Sequence, residues 1–127
     1  MTGNSLLRDA CAHMHETDIA IYQPYALSWL VTVLTDVLAV NNNIRESKDM
    51  EPLALADVLV HDLDTTLAVE DEMHNVIMYG ILCRIMANED DKSLYNTYLQ
   101  IYEIEKQNAD RGKMRFVVPR RAGRWEF

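Results

Sequence analysis

Residues 25–40 read YALSWLVTVLTDVLAV, and whether this stretch is strand or helix decides the fold. Its Val and Thr content favours a strand. Its length, and the three- and four-residue spacing of Leu27, Leu30, Val31, Leu34 and Leu38, favour a buried helix. Pro24 suits a first helical turn, and Asn41, Asn42 and Asn43 mark the expected stop. The stretch is interrupted by Ser28, Thr32, Thr35 and Asp36. A bilayer span takes about 20 apolar residues, so the stretch reads as too short and too polar for one, and a soluble protein is expected.

Helix signals continue on both sides. Asn4 or Ser5 is a candidate cap for a helix through LLRDACAHMH, with Leu7, Cys11 and Met14 on one face. Arg45 to Met50 reads as a polar loop. Pro52 then opens a third expected helix, LALADVLVHDLDTTL, with Leu55, Leu59 and Leu63 inward and a weak point at Asp64 to Thr66. A fourth, VEDEMHNVIMYGILCRIMA, begins with Glu70, Asp71 and Glu72, acids favoured at a positive helix end. Met73, Val76, Ile77, Gly80, Ile81 and Ile85 follow its helical period. Asp91 can cap a fifth, KSLYNTYLQIYEIEKQN, which is expected to fade near Gly112. Pro119 disfavours helix at the residue before it. These signals predict an all-α fold: a compact bundle of about five helices, four of them central, with an extended basic C-terminal tail. Residues 1–109 form the acidic bundle and residues 110–127 the tail.

Composition agrees. With 127 residues, 49% hydrophobic and 25% charged, the chain has the size and balance of one globular domain. Four Gly and three Pro are few for an all-β protein with many tight turns. Cys11 and Cys83 lie far apart with no CxxC pair, which favours a reducing compartment over a disulfide framework. The first residues lack the apolar run of a secretory signal. The expected location is cytoplasmic, the host cytoplasm for a phage-encoded chain.

Charge divides the sequence. Residues 1–105 hold Arg8, Arg45, Lys48, Arg84 and Lys92 against eighteen acids, or −13; residues 106–127 hold seven basic residues against Asp110 and Glu126, or +5. The acidic part should repel nucleic acid. The tail mixes Arg111, Lys113, Arg115, Arg120, Arg121 and Arg124 with Phe116, Trp125 and Phe127. Arginine and aromatics dominate protein-interface hot spots and also stack on single-stranded bases. Tyr95, Tyr98 and Tyr102 add a stripe suited either to half-buried packing or to an interface. Tyr95 and Tyr102 join the tail as candidate partner-binding residues. The bland reading of the tail is packing on its own acidic body.

Two constellations invite metal. Cys11 and His15 are four apart, with His13 between them, and could combine with His61 or His74; the usual zinc spacings are absent. His61, Asp64, Glu70 and His74 make a fair hard-metal set if brought together. Neither a phosphate-cradling glycine loop nor a GxSxG elbow is present, and no pairing of ExxE with a later ExxD occurs.

Three functions follow. The first is a non-enzymatic interaction or assembly protein without cofactor. Its tail would clasp a protein partner or a second copy, with a dimer favoured and no membrane involved. Accessory proteins of phages and mobile elements share this type, as inhibitors that occupy a basic groove or as subunits that tile. The second is a small metal-dependent hydrolase using His61, Asp64, Glu70 and His74. The third is a nucleic-acid accessory binding through the tail.

Overall fold

The computed structural model describes the backbone of residues 1–117 and the side chains of residues 1–110. Its helices are α1 (Gly3–His13), α2 (Gln23–Ser47), α3 (Leu55–Val58), α4 (His74–Asn88) and α5 (Lys92–Val117). The protein is therefore all-α, a compact bundle of five helices. Four are long, and α3 is a single turn. Among the described residues no strand forms beyond an isolated bridge between Thr2 and Thr66.

Helix α1 starts earlier than Asn4 or Ser5. Thr2 is its cap: Ser5 N–H donates to Thr2 Oγ1 at 3.1 Å, and Thr2 N–H donates to Ser5 Oγ at 2.9 Å. This reciprocal arrangement satisfies two otherwise orphaned amides. Leu6, Leu7, Ala10 and Cys11 are fully buried.

Helix α2 runs past its expected stop, through the three asparagines and into the Arg45 segment expected to be loop. Asparagine is a poor helix former because its amide competes for nearby backbone. Here each side-chain amide has a tertiary partner instead, although Asn41 is bonded through its oxygen alone and its buried Nδ2 has none among the described residues. Asn41 Oδ1 accepts from Glu70 N–H at 2.8 Å, Asn42 exchanges two bonds with the Leu53 backbone, and Asn43 Nδ2 donates to Asp110 Oδ1 at 2.8 Å. The inward face is also rotated: Ala26, Leu30, Val33, Leu34, Val37, Asn41 and Ile44 are buried, while Leu27, Val31 and Leu38 are half-buried. At 25 residues, α2 is long and apolar enough to cross a membrane by length and composition, so shortness no longer separates it from such spans. Its buried side packs against α1, α4 and α5.

The third expected helix is the main correction. Only Leu55–Val58 is helical; Leu59 is extended, and Leu55 is 40% exposed. Asp62 Oδ1 accepts from Asp64 N–H, Thr65 N–H and Thr65 Oγ1, a side-chain turn that competes with the helix. The backbone beyond is satisfied by the chain's start, with Asn4 N–H donating to Leu63 O and Leu67 N–H to Met1 O, both at 2.9 Å. Val58, Leu67 and Val69 enter the core, and of the expected stripe Leu63 packs half-buried against it while Leu55 stays exposed.

A 3-10 turn, Asp71–Met73, precedes α4, nine of whose residues are buried. Asp91 caps α5 as expected, accepting from Leu94 N–H at 3.0 Å. Helix α5 does not fade near Gly112; its backbone stays helical through Val117, across the 109/110 boundary assigned from sequence. Three helices end with a residue in the left-handed region that is not glycine: His15 (φ 57°), Asp49 (φ 58°) and Asp90 (φ 57°).

Candidate interaction surface

Helices α2, α4 and α5 meet at Gly80. A Cβ added there would lie 2.8 Å from Val33 Cγ1 and 3.0 Å from Tyr102 Cε1, so the three helices approach as closely as they do because position 80 lacks a side chain. Beside this crossing lies an open groove of about 620 Å³. Its buried lining is Val33, Gly80, Cys83 and Tyr102, continued by half-buried Leu99 and Tyr95. Its exposed lining is polar: Thr32, Asp36, Arg84 and Glu103. Gly80, Cys83, Arg84 and Ala87 reach it from successive turns of α4.

The charges along the groove are arranged unequally. Asp36 accepts from the Tyr102 hydroxyl and from Lys106 Nζ, the latter at 3.0 Å. Desolvation opposes ionisation of Asp36. The two hydrogen bonds and the charges of Lys106 and Arg84 outweigh it and hold the carboxyl below its ordinary range. Lys106 also pairs with Glu103 at 3.1 Å and sits 4.6 Å from the Tyr102 ring centroid. Its ammonium is held above the usual lysine value, because these carboxylates outweigh desolvation. Arg84 makes no ion pair or side-chain hydrogen bond among the described residues. Burial pushes the Cys83 thiol up to about 11, which makes it a poor nucleophile at neutral pH.

The outer face of α2 borders the groove. Tyr25, Ser28, Thr32, Thr35 and Ala39 are exposed along it, and from Ile19 to Ile44 the only charged side chain is Asp36. Tyr25 stacks on Trp29 with ring centroids 5.8 Å apart. Only 28% of an 18-residue apolar window of this helix is buried.

The sequence-derived candidates fare differently. Tyr95 lines the groove, half-buried. Tyr102 also lines the groove, but is only 7% exposed, with its ring packed in the core and its hydroxyl bound to Asp36. The side chains of Arg111, Lys113, Arg115, Phe116, Arg120, Arg121, Arg124, Trp125 and Phe127 lie outside the described residues. The proposed metal set is not assembled. His61 is exposed, Asp64 accepts from Asn4 Nδ2 at 2.6 Å, Glu70 pairs with Arg45 and Lys48, and His74 pairs with Asp9 at 2.8 Å. Glu70 precedes α4, so it shares no helical face with His74. The Cys11 set is likewise dispersed: α1 ends at His13, which meets Tyr79 edge-on, and His15 lies beyond in a left-handed turn. Among the described residues no group of three or more His, Cys, Asp or Glu side chains converges as a metal site would require.

Asp36, Gly80, Cys83 and Arg84 were not singled out as site residues in the sequence. The available signal was Arg84, the single basic residue in the segment of residues 49–91, one turn beyond a helical glycine. None of the known protein families, curated proteins or solved structures matches this chain.

Proposed function

We propose that the protein is a non-enzymatic assembly protein. Its acidic helical body presents a charge-poor outer face of α2 beside the groove, and its basic aromatic C-terminal segment clasps a neighbouring subunit. The observation that carries this reading is α2 itself. An apolar helix of 25 residues, only 28% buried over its apolar window, leaves uncharged surface on a chain of net charge −8. A face of this kind, here Tyr25, Ser28, Thr32, Thr35 and Ala39, can be covered by a partner without taking a charge out of water. The division of charge between residues 1–105 and 106–127 supports the same reading, since opposite potentials steer association.

Light scattering on the full chain and on a version ending at Val117 tests it. That end point keeps the Lys106–Asp36 and Asn43–Asp110 contacts. The full chain is expected to form dimers or larger species, and the shortened chain to be monomeric. Monomers in both forms rule out assembly between copies; unchanged oligomers in both remove the tail's role. Co-flotation of the full chain with lipid vesicles would instead assign the α2 face to a membrane.

A further inference from the structure

The groove between α2, α4 and α5 has an apolar lining, one cation without an ion-pair partner among the described residues and two carboxylates. Its occupant should therefore carry an apolar anchor flanked by both signs of charge, with the anion meeting Arg84. Within this chain, residues 120–127 read RRAGRWEF: Trp125 stands between Arg124 and Glu126, with Phe127 following. No other tryptophan of the chain has neighbours of both signs, Trp29 lying between Ser28 and Leu30.

Reach favours a second copy as its source. From Leu99 at the groove to Val117 the helix α5 rises about 27 Å, at about 1.5 Å per residue. Trp125 is eight residues beyond Val117, and eight fully extended residues span about 27 Å. The two lengths are equal, so a reversed chain brings the same copy's Trp125 only to the Glu103 end of the groove, about 21 Å from Val117, and not onto Leu99. A second copy has no such limit. The body of each copy carries −13 and the segment from residue 106 carries +5, so approach of one copy's tail to the other's body is favoured at long range.

We propose that the α2–α4–α5 groove receives residues 124–127 of a second copy, with Trp125 on the Val33–Cys83–Leu99 lining and Glu126 paired to Arg84. This rests on the assembly reading above and adds its docking site. Trp125 supplies the area, as aromatic anchors do at the centre of interfaces. The Glu126–Arg84 pair fixes register. Exchange between two copies is reciprocal and closes a dimer.

The test uses the full chain carrying Trp29→Phe, which leaves Trp125 as the sole tryptophan. Its emission and its quenching by iodide are followed across a dilution series, alongside light scattering. The expected result is shielded, blue-shifted emission in a dimer, moving to water-exposed emission on dilution. Arg84→Glu, at an exposed position of α4, should weaken the dimer by about tenfold or more. Arg84→Glu combined with Glu126→Arg should restore it. Dimers indifferent to Arg84→Glu overturn the groove while leaving assembly intact. Shielded Trp125 in a concentration-independent monomer overturns the second copy as occupant. A monomer with exposed Trp125 overturns both the docking site and the assembly reading.

Discussion

Replacing Gly80 with alanine sets two effects of opposite sign against each other. In a helix interior the change is worth about 0.5–1 kcal/mol in favour of alanine, through lower backbone entropy in the unfolded chain. Against it stands the crossing of α2, α4 and α5, where the new methyl would lie 2.8 and 3.0 Å from the two Cγ atoms of Val33 and 3.0 Å from Tyr102 Cε1. Neither neighbour gives way easily. Val33 is β-branched in a helix, with one strongly preferred rotamer, and is 3% exposed. Tyr102 is 7% exposed and tethered to Asp36. Overpacking of this kind costs about 1–3 kcal/mol. The net expectation for Gly80→Ala is a loss of about 1–2 kcal/mol, read as a lower urea midpoint at unchanged slope. Val33→Ala should cost about 2 kcal/mol alone. In that background Gly80→Ala should become neutral or stabilising, so the pair couples by about 1–2 kcal/mol. A Gly80→Ala variant more stable than the parent would refute the close three-helix crossing, and with it the shape of the groove.

Tyr102→Phe removes the hydroxyl that donates to Asp36, and should cost about 1 kcal/mol, at the low end because Asp36 is half exposed. The folded-state pKa of Asp36 is depressed. Its contribution is therefore present above the ordinary aspartate range and lost as pH falls through the folded value, below about 4. Acid titration of stability by circular dichroism should show a shallower loss in Tyr102→Phe, and an identical profile would count against the Asp36 network. Asp49→Gly and Asp90→Gly relieve side chains held at φ 58° and 57° in helix-ending turns. Each should raise stability by about 0.5 kcal/mol, and their effects should add; an unchanged or lower melting temperature would show that the aspartates make compensating bonds.

The helices written in local pattern were legible from the sequence. In α4, the apolar period through Val76, Ile77, Gly80, Ile81 and Ile85 leaves little alternative, and these residues are buried as read. Asp91 as the cap of α5 was equally local, a side chain three residues from the amide it satisfies. The all-helical class followed from such signals. The failures occurred where distant residues supply the missing bonds. Asn41, Asn42 and Asn43 resemble a stop until Glu70, Leu53 and Asp110 are brought alongside them. The stretch after Pro52 resembles a helix until Met1 and Asn4 take its backbone groups.

The candidate site divides the same way. Charge content, the basic aromatic segment and the tyrosine stripe belong to the sequence, because composition needs no geometry. Whether a tyrosine is an anchor or a core residue depends on what faces it. Both Tyr95 and Tyr102 line the groove, but Tyr95 is half-buried while Tyr102 is buried against Asp36, 66 positions away in the chain. The tertiary structure alone dispersed His61, Asp64, Glu70 and His74 among separate partners, because α4 begins only at His74 and residues 59–70, ahead of its 3-10 turn, are not helical. It alone set Arg84 beside Asp36 and Glu103 around the crossing at Gly80. Local periodicity fixes which residues can share a face, but the distance between faces on different helices is set by packing, and that depends on every side chain at the contact at once.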